Sequence, residues 1–193
     1  MSAPPSFDTP WSSNGKIATV TGDSRGIGQA ISVHLARKGL TKLAITYASN
    51  IEAESQRPCY LNLLNYGGRV INISSVLAFQ DNSDPTVAYG ASKIAPQSYT
   101  RAFAENFSKS KKATFNSVIV GLTAIDSIKA SQHMMPPGFL DGQIRDTTAG
   151  ERIGVPDDIA YIVGFLTSEE CHWVNGGAVS ANGGTKLVMS ALG

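Results

Sequence analysis

An α/β fold built on a parallel sheet is predicted by two features that follow one another along the chain. The first is a strand, glycine turn, helix and strand unit near its start. The second is the string Tyr89-Gly90-Ala91-Ser92-Lys93, fourteen residues after Ser75, on a segment with helical character. Short apolar, β-branched runs alternate with helix-like stretches, the pattern of strands buried between helices.

Lys16 to Thr21 (KIATVT) reads as a buried parallel strand that ends in Gly22. In the helix that follows, Ile27, Ile31 and Leu35 recur every four residues, and Gly39 stops it. Leu43 to Tyr47 (LAITY) completes the unit as a second strand. Arg69 to Ile73 (RVINI) is a further buried strand leading into Ser74 and Ser75, and a long helix is predicted from about Thr86 to Phe107. Pro96 lies inside that helix and removes one backbone hydrogen bond, so a bend is expected just past Lys93. Phe115 to Val120 is the next strand. Gly121 to Gly154 carries little periodicity and has the character of a lid. Pro156 opens a helix through Phe165, with Asp157 and Asp158 where the helix dipole favours anions, and Ala178 to Ser180 reads as a last strand.

With 193 residues and a formal charge of +1, the chain suits one domain with one core, and gives no electrostatic case for nucleic acid or an anionic membrane. Residues 1–15, with Pro4, Pro5 and Pro10 among serines, read as a loose tail, and residues 16–193 as a single domain. No run suits a signal peptide or a membrane span, so a cytoplasmic protein is expected. Cys59 and Cys171 lack metal or redox spacing, His34 reads as a partly exposed surface residue, and His133 as an exposed loop histidine. No metal site is expected.

The chemistry is carried by spacing. Four residues apart on a helix, Tyr89 and Lys93 share a face, so the ammonium sits beside the phenol, favours phenolate and makes the group a better acid and base at neutral pH. Tyr89 could then exchange a proton with a carbonyl or alcohol oxygen that Ser75 also holds, while a nicotinamide supplies or accepts hydride. Thr21 to Gly28 (TGDSRGIG) follows a strand and opens a helix, the context in which a backbone can approach a pyrophosphate. Alone, such a turn does not specify a ligand; its placement gives it weight. Arg25 in the turn, and the lack of a carboxylate in Tyr47-Ala48-Ser49-Asn50, favour NADP(H) over NAD(H). Met134-Met135-Pro136-Pro137 either lines an apolar substrate pocket or is a surface loop.

These residues resemble the short-chain dehydrogenase/reductase family, whose TGxxxGxG turn, serine-ended strand, YxxxK helix and closing WVNGG and NGG segments occur here in the same order. The likeness covers roughly residues 15–50 and 66–187, and its idiom looks most like fungal members that reduce carbonyls in secondary metabolism. It implies a Rossmann-like doubly wound parallel sheet and an NADP(H)-dependent oxidoreductase acting on a small-molecule carbonyl or alcohol. Catalysis is implied for Ser75, Tyr89 and Lys93. Cofactor contacts are implied for Gly22, Ser24, Arg25, Gly26, Ile27 and Gly28, for Tyr47 and Ser49, for Tyr89 and Lys93, and for Gly121 and Thr123.

The departures are concentrated in one place. Between Asn50 and Tyr66 stand fifteen residues where the family carries roughly 70 more, including its third and fourth strands. The family's tetrad asparagine has no counterpart here, and Ile125 stands where a threonine normally meets the nicotinamide. Loss of a central strand leaves two outcomes: an open slot between strand edges, or a closed sheet with the Ser75 strand displaced toward the glycine turn. A helix of the family's dimer interface is also reduced, so a homo-oligomer is not assumed. The alternative to an active enzyme is an impaired relic, or a mis-spliced relative, that acts as a protein-interaction module.

Overall fold

The computed structural model of the protein describes residues 11–46, 64–82 and 86–185. Strand β1 (Ile17–Thr21), helix α1 (Gly26–Arg37) and strand β2 (Lys42–Thr46) form the expected first unit. Strand β3 (Arg69–Ser75) leads through a single 3-10 turn, Val76–Ala78, to helix α2 (Val87–Lys111), which runs unbroken through Pro96. Strand β4 (Thr114–Val120), the short helices α3 (Asp126–Ser131) and α4 (Phe139–Asp146), helix α5 (Pro156–Thr167) and strand β5 (Ala178–Ala181) complete the described chain. The stretch expected to be a lid therefore contains two helices, both too short for a clear period to show. Among the described residues no helix is long and apolar enough to cross a membrane.

Among the described residues all pairings are parallel, and the sheet is in two pieces. β1 pairs with β2, and β3, β4 and β5 form a second sheet in that order. Among the described residues no ladder joins β1 to β3, so the sheet does not close across the gap. The α/β, Rossmann-like class holds, and the shortening expresses itself as a discontinuity. Bonds from β3 to β4 fall on even-numbered β3 residues, as where the Gly68 carbonyl accepts from the Thr114 amide. The main-chain groups of Ile71, Ile73 and Ser75 consequently point to the unpaired edge.

The three-stranded sheet is covered on both faces. On one, Val118 and Val120 of β4, with Ile71 and Ile73 beside them, pack on Ile159, Ala160, Val163 and Leu166 of α5. On the other, α2 lies on β3 and β4, with Phe103 edge-on to Phe115. Ile31 and Leu35 of α1, with Val20 of β1, join the same core through α5. The two-stranded sheet fares differently. Ile17 is 61% exposed and Ile45 54%, so the expectation of a buried first strand is corrected to a strand with Val20 alone buried. Apolar sequence made it look buried; too few elements lie against it to cover it.

Two features tie the pieces together. Glu169, just past α5, takes Lys16 at 2.6 Å and Arg69 at 3.2 Å, so one carboxylate bridges the starts of β1 and β3. Hydrogen bonding from Lys16 holds this carboxyl below the usual glutamate range, with the Lys16 and Arg69 charges acting in the same direction. At the far side of the α1–α5 contact, His34 is wedged between Trp11 and Tyr161, with ring centroids 5.6 and 5.1 Å away. The Lys38 ammonium covers Trp11 at 4.6 Å. Burial pushes the His34 imidazole below its usual value, and nearby Lys38 adds to this. His34 is partly exposed, as expected, and also serves as an interface residue between the two helices. The loose tail read over residues 1–15 is likewise corrected from Trp11 onward, where Ser13 is buried and its amide donates to the Lys38 carbonyl at 2.7 Å.

The wedge makes Gly164 sensitive. Alanine in mid-helix is ordinarily better than glycine by about 1 kcal/mol, yet a Cβ here would stand 2.5 Å from His34 Nε2 and 2.9 Å from Trp11. Gly164→Ala should cost about 1–3 kcal/mol in urea unfolding. Combined with His34→Ala, the same change should become neutral or stabilising, and additive losses would contradict the wedge. Glu169→Gln should lower stability at neutral pH by up to ~1 kcal/mol, since the carboxylate is largely exposed. Because the native carboxyl titrates below its unfolded value, its contribution is complete above that value and lost as pH falls through the lower one. The wild-type advantage should therefore shrink as pH falls below the ordinary glutamate range and be lost in more acidic denaturant titrations.

Candidate active site

The turn between β1 and α1 is shaped by its glycines. Gly26 holds φ +60, and a Cβ on Gly28 would meet the Gly22 carbonyl oxygen at 2.3 Å, so the turn folds back on itself only without side chains there. α1 begins after Arg25 with no side-chain cap and no acidic residue in its first turn. Its leading amides and the positive end of its dipole face outward, an arrangement suited to an anion. Gly22, Arg25, Gly26, Ile27 and Gly28 line a cavity of about 180 Å³, closed on the other side by Ile125, Asp126 and Ser127. Ser24 is exposed on the turn beside this lining. The cavity is smaller than the ~300 Å³ at which small-molecule pockets begin.

Ser75 ends β3 and is 7% exposed. Its hydroxyl oxygen accepts the Leu77 amide at 3.2 Å, capping the 3-10 turn, which leaves its own proton as the one it can give to a bound oxygen. Tyr89 lies in the first turns of α2 with 48% of its surface exposed, so its phenol faces solvent and not the core. Lys93 follows one turn later. Its Nζ is 5.5 Å from the Tyr89 ring centre and 3.3 Å from the Ile73 carbonyl oxygen, on the unpaired edge of β3. The structure thus brings Tyr89 and Lys93 together and ties Lys93 to the end of the strand that carries Ser75.

Other expected positions fall elsewhere. Tyr47 and Ser49 lie outside the described residues. Gly121 packs on Asn182, since a Cβ there would be 2.9 Å from the Asn182 Cα. Thr123 is buried, gives its hydroxyl proton to the Gly121 carbonyl at 3.0 Å and bridges to Gly154. Ile125 is the side chain of this segment that comes against Gly26, since its Cγ2 would lie 3.3 Å from a Cβ there. Met135, Pro136 and Pro137 line a separate cavity of about 290 Å³ with Phe139 and Leu140, whereas Met134 is exposed.

Sequence reasoning passed over Asp126 and Ser127, which face the turn, and no motif could have marked them. Cys171 is buried, and burial pushes its thiol up, which makes it a packing residue rather than a nucleophile. Among the described residues no cluster of histidine, cysteine and carboxylate side chains is placed to hold a metal ion.

Comparison with known proteins bears on the family and the fold. Residues 53–186 match the family model described as enoyl-(acyl carrier protein) reductase. The short chain dehydrogenase penD of Penicillium thymicola is 38% identical over 266 aligned positions, covering 95% of this chain and 96% of that protein. The alignment is far longer than this 193-residue chain, so the relative carries residues that have no counterpart here. Among solved structures, a protein assigned as a 2-deoxy-d-gluconate 3-dehydrogenase from Agrobacterium tumefaciens, with bound NADP, superposes with a TM-score of 0.74 at 20% identity, over 92% of this chain and 98% of that one. A 7 alpha-hydroxysteroid dehydrogenase complexed with NADH gives a TM-score of 0.74 at 19% identity, over 90% and 95%. By these matches, and by the order of turn, serine, tyrosine and lysine on this fold, the chain belongs to the short-chain dehydrogenase/reductase family and is an oxidoreductase of the kind found in fungi.

Proposed function

We propose that the protein is an NADP(H)-dependent reductase or dehydrogenase that interconverts a carbonyl and an alcohol on a small molecule, with a compound of fungal secondary metabolism as the substrate class. The observation that carries the reading is the placement of Lys93, with its ammonium against both the Tyr89 ring and the strand edge next to Ser75. The glycine turn and uncapped α1 would hold the pyrophosphate. Arg25, exposed at the mouth of the cavity, would pair with a 2′-phosphate. A bound nicotinamide would supply or accept the hydride.

The chain's own residues do the rest. Tyr89 hands its phenolic proton to the substrate oxygen, or takes one from it. Lys93 stabilises negative charge on the phenol oxygen and reaches the cofactor ribose. Ser75 donates a hydrogen bond to the same substrate oxygen, where charge develops during transfer.

A second reading is favoured by one observation, the missing ladder between β1 and β3. Two strand edges with no ladder among the described residues suit a chain that has kept the fold but lost turnover and uses an edge to bind protein. Titration with NADPH, followed by cofactor fluorescence, separates the readings. The enzyme should saturate in the micromolar range typical of such sites, more tightly with NADPH than NADH, and Arg25→Ala should erase that difference. With diacetyl as a carbonyl probe, Tyr89→Phe should lower turnover about 10²- to 10⁴-fold and leave NADPH binding nearly unchanged. Binding without turnover would favour the second reading, and absence of binding at high micromolar NADPH would end the first.

A further inference from the structure

Polar contacts fasten one face of α2 to one face of β3. The Ser74 hydroxyl donates to the main-chain carbonyl of Lys93 at 2.7 Å, and Asn72 Nδ2 donates to Thr100 Oγ1 at 2.9 Å. Thr100 gives its single proton to the Pro96 carbonyl at 2.8 Å, so in its 2.6 Å contact with Ser117 the serine must be the donor. Every hydrogen-bonding position of Thr100 is then used. Ser74, Thr100 and Ser117 are each at most 2% exposed.

The spacing of these contacts matters. Asn72 and Ser74 are two apart and share a face of β3, while Lys93 and Thr100 are seven apart and share a face of α2. Two directional points on each element set both the rotation and the axial position of the helix, which apolar contact alone does not do. A slip of one residue would move α2 by about 1.5 Å and turn it by about 100°, carrying Tyr89 and Lys93 away from the end of β3.

The need for outside support is greatest at Lys93. Pro96 has no amide hydrogen for the preceding turn, and its ring crowds the Ser92 carbonyl, so the helix's own ladder is broken beside the lysine. We propose that Ser74 is a positioning residue for Lys93: its hydroxyl anchors the lysine's main chain to β3 while the Ile73 carbonyl receives the ammonium, so consecutive strand residues hold the lysine at both ends. The role rests on the reading of Lys93 as part of the oxidoreductase site. Ser74 itself does not touch substrate or cofactor.

The test reads the lysine directly. Reductive methylation with formaldehyde, followed by peptide mass spectrometry, gives the labelling rate of Lys93 relative to exposed Lys129. Ser74→Ala should raise that ratio about two- to tenfold, the factor that one ordinary hydrogen bond is worth, and Ser74→Thr should restore it. Ser168→Ala removes an equally buried hydroxyl, which donates to the Phe165 carbonyl at 2.7 Å far along the chain. It should cost stability without moving the Lys93 ratio. An unchanged ratio in Ser74→Ala, or an equal rise in Ser168→Ala, overturns the proposal. NADPH titration of the same proteins keeps the two readings apart. If wild type binds and Lys93→Met weakens binding, Ser74→Ala should weaken it in the same direction; if wild type does not bind, the functional reading fails while the labelling ratio still decides the role of Ser74.

Discussion

The packing of α1 on α5 is the contact on which the rest of this molecule depends. In an ordinary sheet of this class the strand ladder itself carries the glycine turn and the serine strand in fixed relation. Here no ladder joins β1 to β3, and that relation passes through side chains. Ile31 and Leu35 of α1 meet Ile159, Val163 and Leu166 of α5, which in turn lie on β3 and β4. Each such side chain contributes about 1.5–3 kcal/mol when fully buried, so the contact is strong. It is also less exacting than hydrogen-bonded strands, because apolar packing has little directionality. The glycine turn is therefore well attached to the three-stranded sheet but held by a softer joint.

On the opposite face the logic reverses. α2 meets β3 through hydroxyls, an amide and carbonyls whose bonding is complete at Thr100, and such contacts admit one register only. Polar groups this deeply buried add little net stability, and their value lies in specifying position. The pair Tyr89 and Lys93 inherits that position. The molecule thus combines a finely registered tyrosine–lysine pair with a glycine turn fixed mainly by apolar packing, and the distance between these two halves is the property most exposed to the shortening.

Much of this was legible in the residues. The bounds of α1, α2 and α5 differ from expectation by a few residues, because the glycine turn, the YxxxK helix and Pro156 are local signals. The nearness of Tyr89 and Lys93 was legible from spacing, since a period of four places side chains together whatever lies around them. What misled was always a matter of surroundings. β1 and β2 have the composition of buried strands, yet Ile17 and Ile45 stand in solvent. Thr123 offers the right chemistry for a cofactor amide but turns inward to Gly121. His34 carries no motif and becomes the wedge between two helices. In the sequence Ser74 is a mere neighbour of Ser75, and only the packing of α2 over β3 gives its hydroxyl a partner.

The sequence by itself determined the lineage, the order of elements and the spacing that marks the candidate groups Ser75, Tyr89 and Lys93, because each is encoded within a turn, a helix or one strand. Only the tertiary structure decided whether the shortened sheet would close, which faces would remain bare and how Lys93 would be held. Those outcomes depend on hydrogen bonds and packing between residues far apart in the chain, such as Lys16 with Glu169 and Ser74 with Lys93. Local spacing does not encode which distant partner a strand edge or a buried hydroxyl will meet.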